Sequence, residues 1–300
     1  MLHTIRELME KAASSEKRTI AVAAAHDKEV LQAVFAARDQ GVADAILTGD
    51  PERIAAFAKE LGYEQTFEVI PAGDDKECAA KAVALVREGR ANCLMKGILS
   101  TADMMRAVID KENGIRTGSL LSHVMIYEIP GYDKLLVNTD GGMNTAPNLE
   151  QKADILENAA KALKALGYDS INASCVCGAE VVNPKVQATV DAAALVEMKD
   201  RWAPYNMSVI GPVGFDLAIS KEACHHKKFY APGAGEADIM LVPAYEVGNG
   251  IGKALTYFAG AKSAGIIIGA RVPIVLVSRA DNAETKLASI ALGCLIGEMK

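Results

Sequence analysis

Short apolar runs alternate with longer stretches of helical period through the first third of the chain. Thr19–Ala25, TIAVAAA, reads as a strand, and KEVLQAVFAARDQ after it reads as a helix. ADAILTG reads as a second strand, followed by a helix from Pro51 through Leu61. Asp50 ahead of Pro51 is a good start for that helix, with the acid as cap and Pro in the first turn. TFEVIPA is a third strand before a helix at Asp74–Arg87, and ANCLMKG a fourth before a helix at Ser100–Asp110. Four successive strand–helix units predict a parallel sheet covered by helices on both faces.

The middle of the chain changes character. GSLLSHVMIYEIPGYDKLLVNTD gives two strands joined by Ile129–Asp133, a Pro-Gly turn that predicts an antiparallel hairpin. Alternation then resumes with a helix at Asn148–Leu166, the strand INASCVCG and a helix at Pro184–Asp200. The strand ADIMLVPAY, a helix from about Ile251 to Ser263 and the closing IVLVSRADNAETKLASIAL complete the pattern. No repeat or long linker interrupts it. The expected architecture is two α/β lobes, residues 1–120 with 266–300 and residues 121–265, and a cleft between them.

Composition narrows the function. The chain has 300 residues, half of them hydrophobic, with a net charge of −6. That length is ample for well-formed cores. No run of Lys or Arg exceeds two residues, so nucleic acid is not an expected partner. The first ten residues lack an apolar core, and no apolar run reaches the roughly 18 residues of a membrane span. A membrane is therefore not expected either, and a cytoplasmic location is. The six Cys are scattered, mostly inside apolar segments, and read as reduced, buried thiols.

Several stretches bear candidate chemistry. In LMKGILST, Lys96 stands where a strand stops and Ser100-Thr101 where a helix begins. A helix start offers free N–H groups, so Lys96, Ser100 and Thr101 could hold a phosphate. Ser100 is equally readable as the helix cap, with Asp103 as its partner. A strand-end Lys is costly to bury without an anion. In PAYEVGNGIGKA, Gly248, Gly250 and Gly252 read as a turn opening a helix, where backbone approaches a ligand closely or merely turns. The spacing matches neither G-x-G-x-x-G nor a Walker A loop. In VNTDGGMNTAPNLEQ, Asp140 could orient a cation or a Lys, or simply sit in a turn before Gly-Gly. Asn148 and Gln151 can cap the next helix. His123 reads as a core histidine, and His225-His226 as a solvated helix end. Arg116, Ser119 and Ser122 fall at the expected junction of the lobes. The acidic residues show no metal-ligand spacing, so no metal is expected.

The stretches MKGILSTADMMRAVI, VNTDGGMNTAPNLEQKADILENA, AEVVNPKVQATVDAA, IGPVGFDLAI and Glu246–Arg279 resemble the phosphate acetyltransferase/phosphate butyryltransferase family. They occur in the family's order from about residue 90 onward, and NTDGGMN and AEVVNPK resemble the butyryl branch more. The resemblance implies a two-lobed fold like the isocitrate and isopropylmalate dehydrogenases, usually as a homodimer or larger. It implies reversible transfer of an acyl group between coenzyme A and phosphate, with coenzyme A as substrate and no metal or redox cofactor. Arg279 would then grip phosphate through paired N–H donors, and Ser278 would hydrogen-bond the sulfur or the oxyanion. Lys96, Ser100, Thr101 and Arg116 become further anion contacts, and Gly248, Asn249, Gly250, Gly252 and Lys253 a run beside coenzyme A.

The reverse reaction needs a base for the thiol. The acetyl branch has an Asp seven residues beyond the Ser, where this chain has Thr285. Glu284 is the acid nearest that place, yet Asp281 and Glu284 also read as a cap and its partner for a helix at Thr285–Leu295. Three other readings stand beside a butyryl transferase: an acetyl transferase, a non-catalytic acyl-CoA-binding module, and a metal- and nicotinamide-dependent hydroxyacid dehydrogenase of the same fold. The last needs a cluster of Asp ligands.

Overall fold

A computed structural model describes residues 1–64, 66–276 and 281–297. The chain divides into two compact units, one of residues 5–119 with 264 onward, the other of residues 1–4 and 120–263.

The first unit opens with α1 (Ile5–Ser14), β1 (Arg18–Ala23), α2 (Lys28–Asp39), β2 (Ala43–Gly49), α3 (Pro51–Glu60), β3 (Glu68–Pro71), α4 (Asp75–Arg87), β4 (Cys93–Lys96) and α5 (Thr101–Val108). The second unit holds β5 (Ser122–Glu128), β6 (Leu136–Thr139), α6 (Leu149–Ala165), β7 (Ile171–Val176), α7 (Gln187–Glu197), α8 (Lys199–Trp202), β8 (Met207–Val213), α9 (Phe215–Ile219), α10 (Lys221–Lys227), β9 (Ile239–Leu241) and α11 (Tyr245–Tyr257). The chain closes with β10 (Lys262–Ile268), β11 (Ile274–Val275) and α12 (Ala283–Ile296).

In the first unit the strand order is β3-β2-β1-β4-β11-β10. Every pairing is parallel except β10 with β11. Ile20 to Ala25 are wholly buried, as strands covered on both faces must be. In the second unit the order is β5-β6-β9-β7-β8, and only the β5–β6 hairpin is antiparallel. Its turn is closed by Tyr132 N–H donating to the Ile129 carbonyl at 3.0 Å, with Gly131 at φ +89°. The mixed α/β class read from the sequence is the one observed.

Local signals explain several element starts. Asp50 accepts from the N–H groups of Glu52 and Arg53, and Pro51 opens α3. Asn148 and Gln151 form a full capping box on α6. Three readings need correction. α7 begins at Gln187 rather than Pro184. α11 runs from Tyr245 to Tyr257, not from Ile251 to Ser263, so Gly248, Gly250 and Gly252 lie inside a helix and form no turn. Finally, Asn282, not Asp281, caps α12, accepting from Thr285 N–H.

Candidate functional site

Lys96, Ser100 and Thr101 come together at the corner from β4 into α5. Lys96 is 5% exposed, and its ammonium donates to the carbonyls of Gly97 and Leu99, each at 3.1 Å. Two carbonyl dipoles thus offset part of the cost of burying the charge. Gly97 is required at this corner, because a Cβ there would run into the Ala23 and Ala24 carbonyls. The Ser100 hydroxyl accepts from Asp103 N–H at 3.0 Å and donates to Asp103 Oδ2 at 2.7 Å. That hydrogen bond, ahead of the nearby Arg106, holds the Asp103 carboxyl below its usual range. An anion at the start of α5 would meet this carboxylate, so a phosphate there has to turn the Ser100 hydroxyl away from it. Thr101 is exposed. Arg116 is also exposed, and its backbone bridges to Ala270. Glu284 is exposed in the first turn of α12. Ser278 and Arg279 lie outside the described residues.

In the second unit, the glycines of α11 do different things. Gly248 and Gly252 are buried against the sheet. A Cβ on Gly248 would stand 2.8 Å from Gly141 Cα and 2.8 Å from Val242 Cγ2, and one on Gly252 would strike the Tyr127 hydroxyl. Gly250 faces open space. Lys253 is exposed, while Asn249 is half-buried and donates to the Gly141 carbonyl at 3.4 Å. Close approach is therefore the reason for two of the three glycines, but the partners are the protein's own atoms, the Gly141 backbone and Val242 side chain at Gly248 and the Tyr127 side chain at Gly252.

Facing α11 is a loop organised by Asp140, which is 2% exposed. Its Oδ1 accepts from Gly142 and Met143 N–H, both at 2.8 Å. Its Oδ2 accepts from His123 N–H at 3.1 Å and Asn144 Nδ2 at 2.6 Å. The carboxylate therefore serves the turn, its oxygens taken up by protein donors. The His123 ring packs under Gly142, where a Cβ would come within 2.7 Å of it.

A cavity of about 620 Å³ in the first unit lies beyond the ends of β1, β2 and β3, lined by His26, Asp50, Arg53, Asp74 and Lys81 among others. The sequence carried no signal for it, since its walls come from three separate strand–helix corners. Asp50 and Asp74 are both occupied as helix caps. Burial, then the nearby Arg53, pushes the His26 imidazole below its ordinary 6.5. The fold thus binds the neutral ring better, and the unfolded chain holds the extra proton just below pH 6.5. His26 contributes stability above that value and loses it as the pH falls. NMR titration should give a His26 pKa below 6.5 that rises in Arg53→Ala; an unshifted ring in both proteins would remove Arg53 as a cause.

Among the described residues no group of three or more His, Cys, Asp or Glu is placed to hold a metal, and no helix is long and apolar enough to cross a membrane. All six Cys are buried.

Comparison with known proteins places this arrangement. The fold is that of the dehydrogenase-like α/β enzymes: 4-hydroxythreonine-4-phosphate dehydrogenase from Klebsiella pneumoniae superposes with a TM-score of 0.56 at 14% identity, covering 94% of this chain and 99% of that one. That likeness concerns the fold alone. The family profile described as Phosphate acetyl/butaryl transferase matches residues 3–79 and 73–294. Phosphate butyryltransferase of Clostridium acetobutylicum is 43% identical over 301 residues, covering 100% of each chain. The crystal structure of a branched-chain phosphotransacylase from Enterococcus faecalis V583 has a TM-score of 0.82 at 31% identity, covering 94% of this chain and 100% of that one. The chain belongs to the phosphate acetyl/butyryl transferase family, and it is an acyltransferase.

Proposed function

We propose that the protein moves a short acyl group, butyryl by preference, reversibly between coenzyme A and inorganic phosphate. The observation that carries this reading is the 43% identity, over its whole length, to a phosphate butyryltransferase. A phosphate oxygen attacks the thioester carbonyl, the oxyanion collapses, the C–S bond breaks and coenzyme A leaves as its thiolate. Arg279 binds the phosphate with paired donors, and Ser278 steadies the sulfur or the oxyanion. Lys96 supplies positive potential at the end of β4, with Ser100, Thr101 and Arg116 as further contacts. In the reverse direction Glu284 takes the thiol proton, or the phosphoryl group itself does. Coenzyme A is a substrate, and no resident cofactor is part of the proposal. We place the enzyme in the cytoplasm as a homodimer or larger assembly.

The α11 finding changes one part of this scheme. Gly250 and Lys253 remain exposed and available to coenzyme A, whereas Gly248 and Gly252 serve packing. The test is thiol release from acetyl-, butyryl- and branched acyl-CoA, with and without phosphate. Phosphate-dependent release, fastest with butyryl-CoA, is expected. Fastest release with acetyl-CoA moves the preference to acetyl, and binding without release leaves only an acyl-CoA-binding module. In the same assay Arg279→Lys should raise the phosphate KM or lower kcat by about a hundredfold, because Lys cannot copy the bidentate grip.

A further inference from the structure

The cavity beyond the ends of β1, β2 and β3 takes no part in the reaction proposed above, and part of its charge is unmatched. In open α/β sheets, ligands bind outside the carboxyl ends of the strands. At about 620 Å³ this cavity is within the range of small-molecule sites. Most of its charged lining is already engaged. Asp50 and Asp74 cap α3 and α4. Glu77 accepts from Gly73 N–H at 2.6 Å and pairs with Lys81 at 2.7 Å, and Lys81 also donates to the Pro71 carbonyl at 2.6 Å. Three groups of the lining are left: His26, Arg53 and Asp75.

Arg53 is the anomaly among them. It stands in the first turn of α3, at the positive end of that helix, where a cation is disfavoured. Among the described residues its guanidinium has no hydrogen bond and no ion pair, and the same holds for the carboxylate of Asp75 in the first turn of α4. Burial first, and then Arg53, hold the His26 ring toward its neutral form, and Asp75 opposes them, so both charges stand beside one ring. That ring packs against Gly49, where a Cβ would stand 2.5 Å from Nδ1, and Nδ1 accepts from Asp50 N–H at 3.4 Å. In the neutral ring Nε2 then carries the proton and is the donor. Among the described residues the cavity therefore offers one unpaired cation, one unpaired carboxylate and one neutral donor, beside the apolar walls Pro51, Pro71 and Ala72. A simple anion here would meet the carboxylates of Asp50, Asp74, Asp75 and Glu77, and a simple cation would meet Arg53 and Lys81. A molecule that carries both charges can set each against its opposite.

We propose that this cavity binds a free α-amino acid with a small aliphatic side chain, its carboxylate on Arg53 and His26 and its ammonium on Asp75. A guanidinium takes a carboxylate through two parallel N–H donors, which fixes the ligand's orientation as well as its charge. The aliphatic side chain lies against the two prolines and Ala72. Arg53 and Asp75 are both exposed, so each contact contributes little by itself and the affinity is in the millimolar range. The walls come wholly from residues 26–81 of the first unit, so the site is independent of the roles given to Lys96, Ser278 and Arg279 above.

The experiment is a titration of the full chain with L-valine, followed by NMR through the His26 ring resonances, with His26→Gln to assign them. 3-Methylbutanoate and isobutylamine, which are valine without its ammonium and without its carboxylate, are titrated in parallel. Valine should give a saturable shift with a Kd of about 1–10 mM, and each analogue should bind about tenfold more weakly or worse. Arg53→Met and Asp75→Asn should each weaken valine about tenfold, yet keep the melting temperature within about 2 °C of wild type, since both side chains are exposed. No shift of the His26 resonances up to about 50 mM valine overturns the proposal. An analogue that binds as tightly as valine does the same, because it makes the cavity a plain ion site, and so does valine binding that both variants leave unchanged. A shift produced by coenzyme A and absent with valine gives the cavity to the acyl-transfer substrate and is equally fatal. The valine titration contains neither acyl-CoA nor phosphate, so its failure and a failure of the acyl-transfer reading are separate results.

Discussion

Asp140→Ala should lower the melting temperature by about 10 °C, the equivalent of about 3–4 kcal/mol. The carboxylate is buried and takes hydrogen bonds from three backbone N–H groups and the Asn144 amide. Hydrogen bonds to a charged group contribute about 1.5–3 kcal/mol each, but the four share one acceptor and one cavity, so they do not add. Truncation leaves buried donors facing a void that water fills only in part, which sets the estimate below the plain sum. Asn144→Ala, which removes one of the four donors to Asp140 and also the Asn144 bond to the Leu121 carbonyl, should cost about 1–2 kcal/mol. Asp140→Asn should fall between, since its oxygen can keep Gly142 and Met143 N–H while its NH₂ faces two donors. Calorimetry on the three variants checks the order; an Asp140→Ala melting point near wild type would show that the loop is held by something else. Loss of activity should track loss of this loop, because Gly141 lies directly against α11.

How much of this was legible in the sequence depends on whether the controlling interaction is local. β2 was read at its observed bounds, Ala43–Gly49, and the caps Asp50 and Asn148 were read correctly. In each case the signal lies within a few residues of its effect. The hairpin turn at Ile129–Asp133 was legible for the same reason. Asp140 reads from the sequence either as an acid that orients a cation or a Lys or as a turn acid, and its role in joining the turn to β5 is not visible there, because one of its donors, His123 N–H, lies 17 residues away. The ion pair of the buried Lys286 in α12 with Glu29 in α2 carried no signal either, since the two are 257 residues apart. The glycines of α11 were misread by a sound local rule. Clustered Gly is a helix breaker by propensity, and only the packing partner, invisible along the chain, reverses that. The end of α11 was misplaced in turn, because Lys262–Ile268, placed partly in that helix, is strand β10.

Those glycines give the sharpest contrast available in the molecule. Gly248→Val should destabilise the second unit by about 3 kcal/mol or more, while Gly250→Ala, two residues on in the same helix, should stabilise it by about 0.5–1 kcal/mol. Both changes relieve the entropic cost of Gly within a helix. At Gly250 nothing lies within 4 Å of the new Cβ, so the propensity gain stands alone. At Gly248 the new Cβ meets Gly141 Cα at 2.8 Å, and backbone cannot step aside as a flexible side chain can. Valine adds two further methyl groups to that collision, so overpacking exceeds the propensity gain several-fold. The pair also separates packing from ligand contact. If Gly250 borders coenzyme A, Gly250→Ala gives a more stable enzyme with a raised acyl-CoA KM. If Gly250 is merely exposed, stability rises and the KM does not move. A stabilised Gly248→Val, seen by denaturant titration, would contradict the close contact between α11 and the Gly141 loop on which both predictions depend.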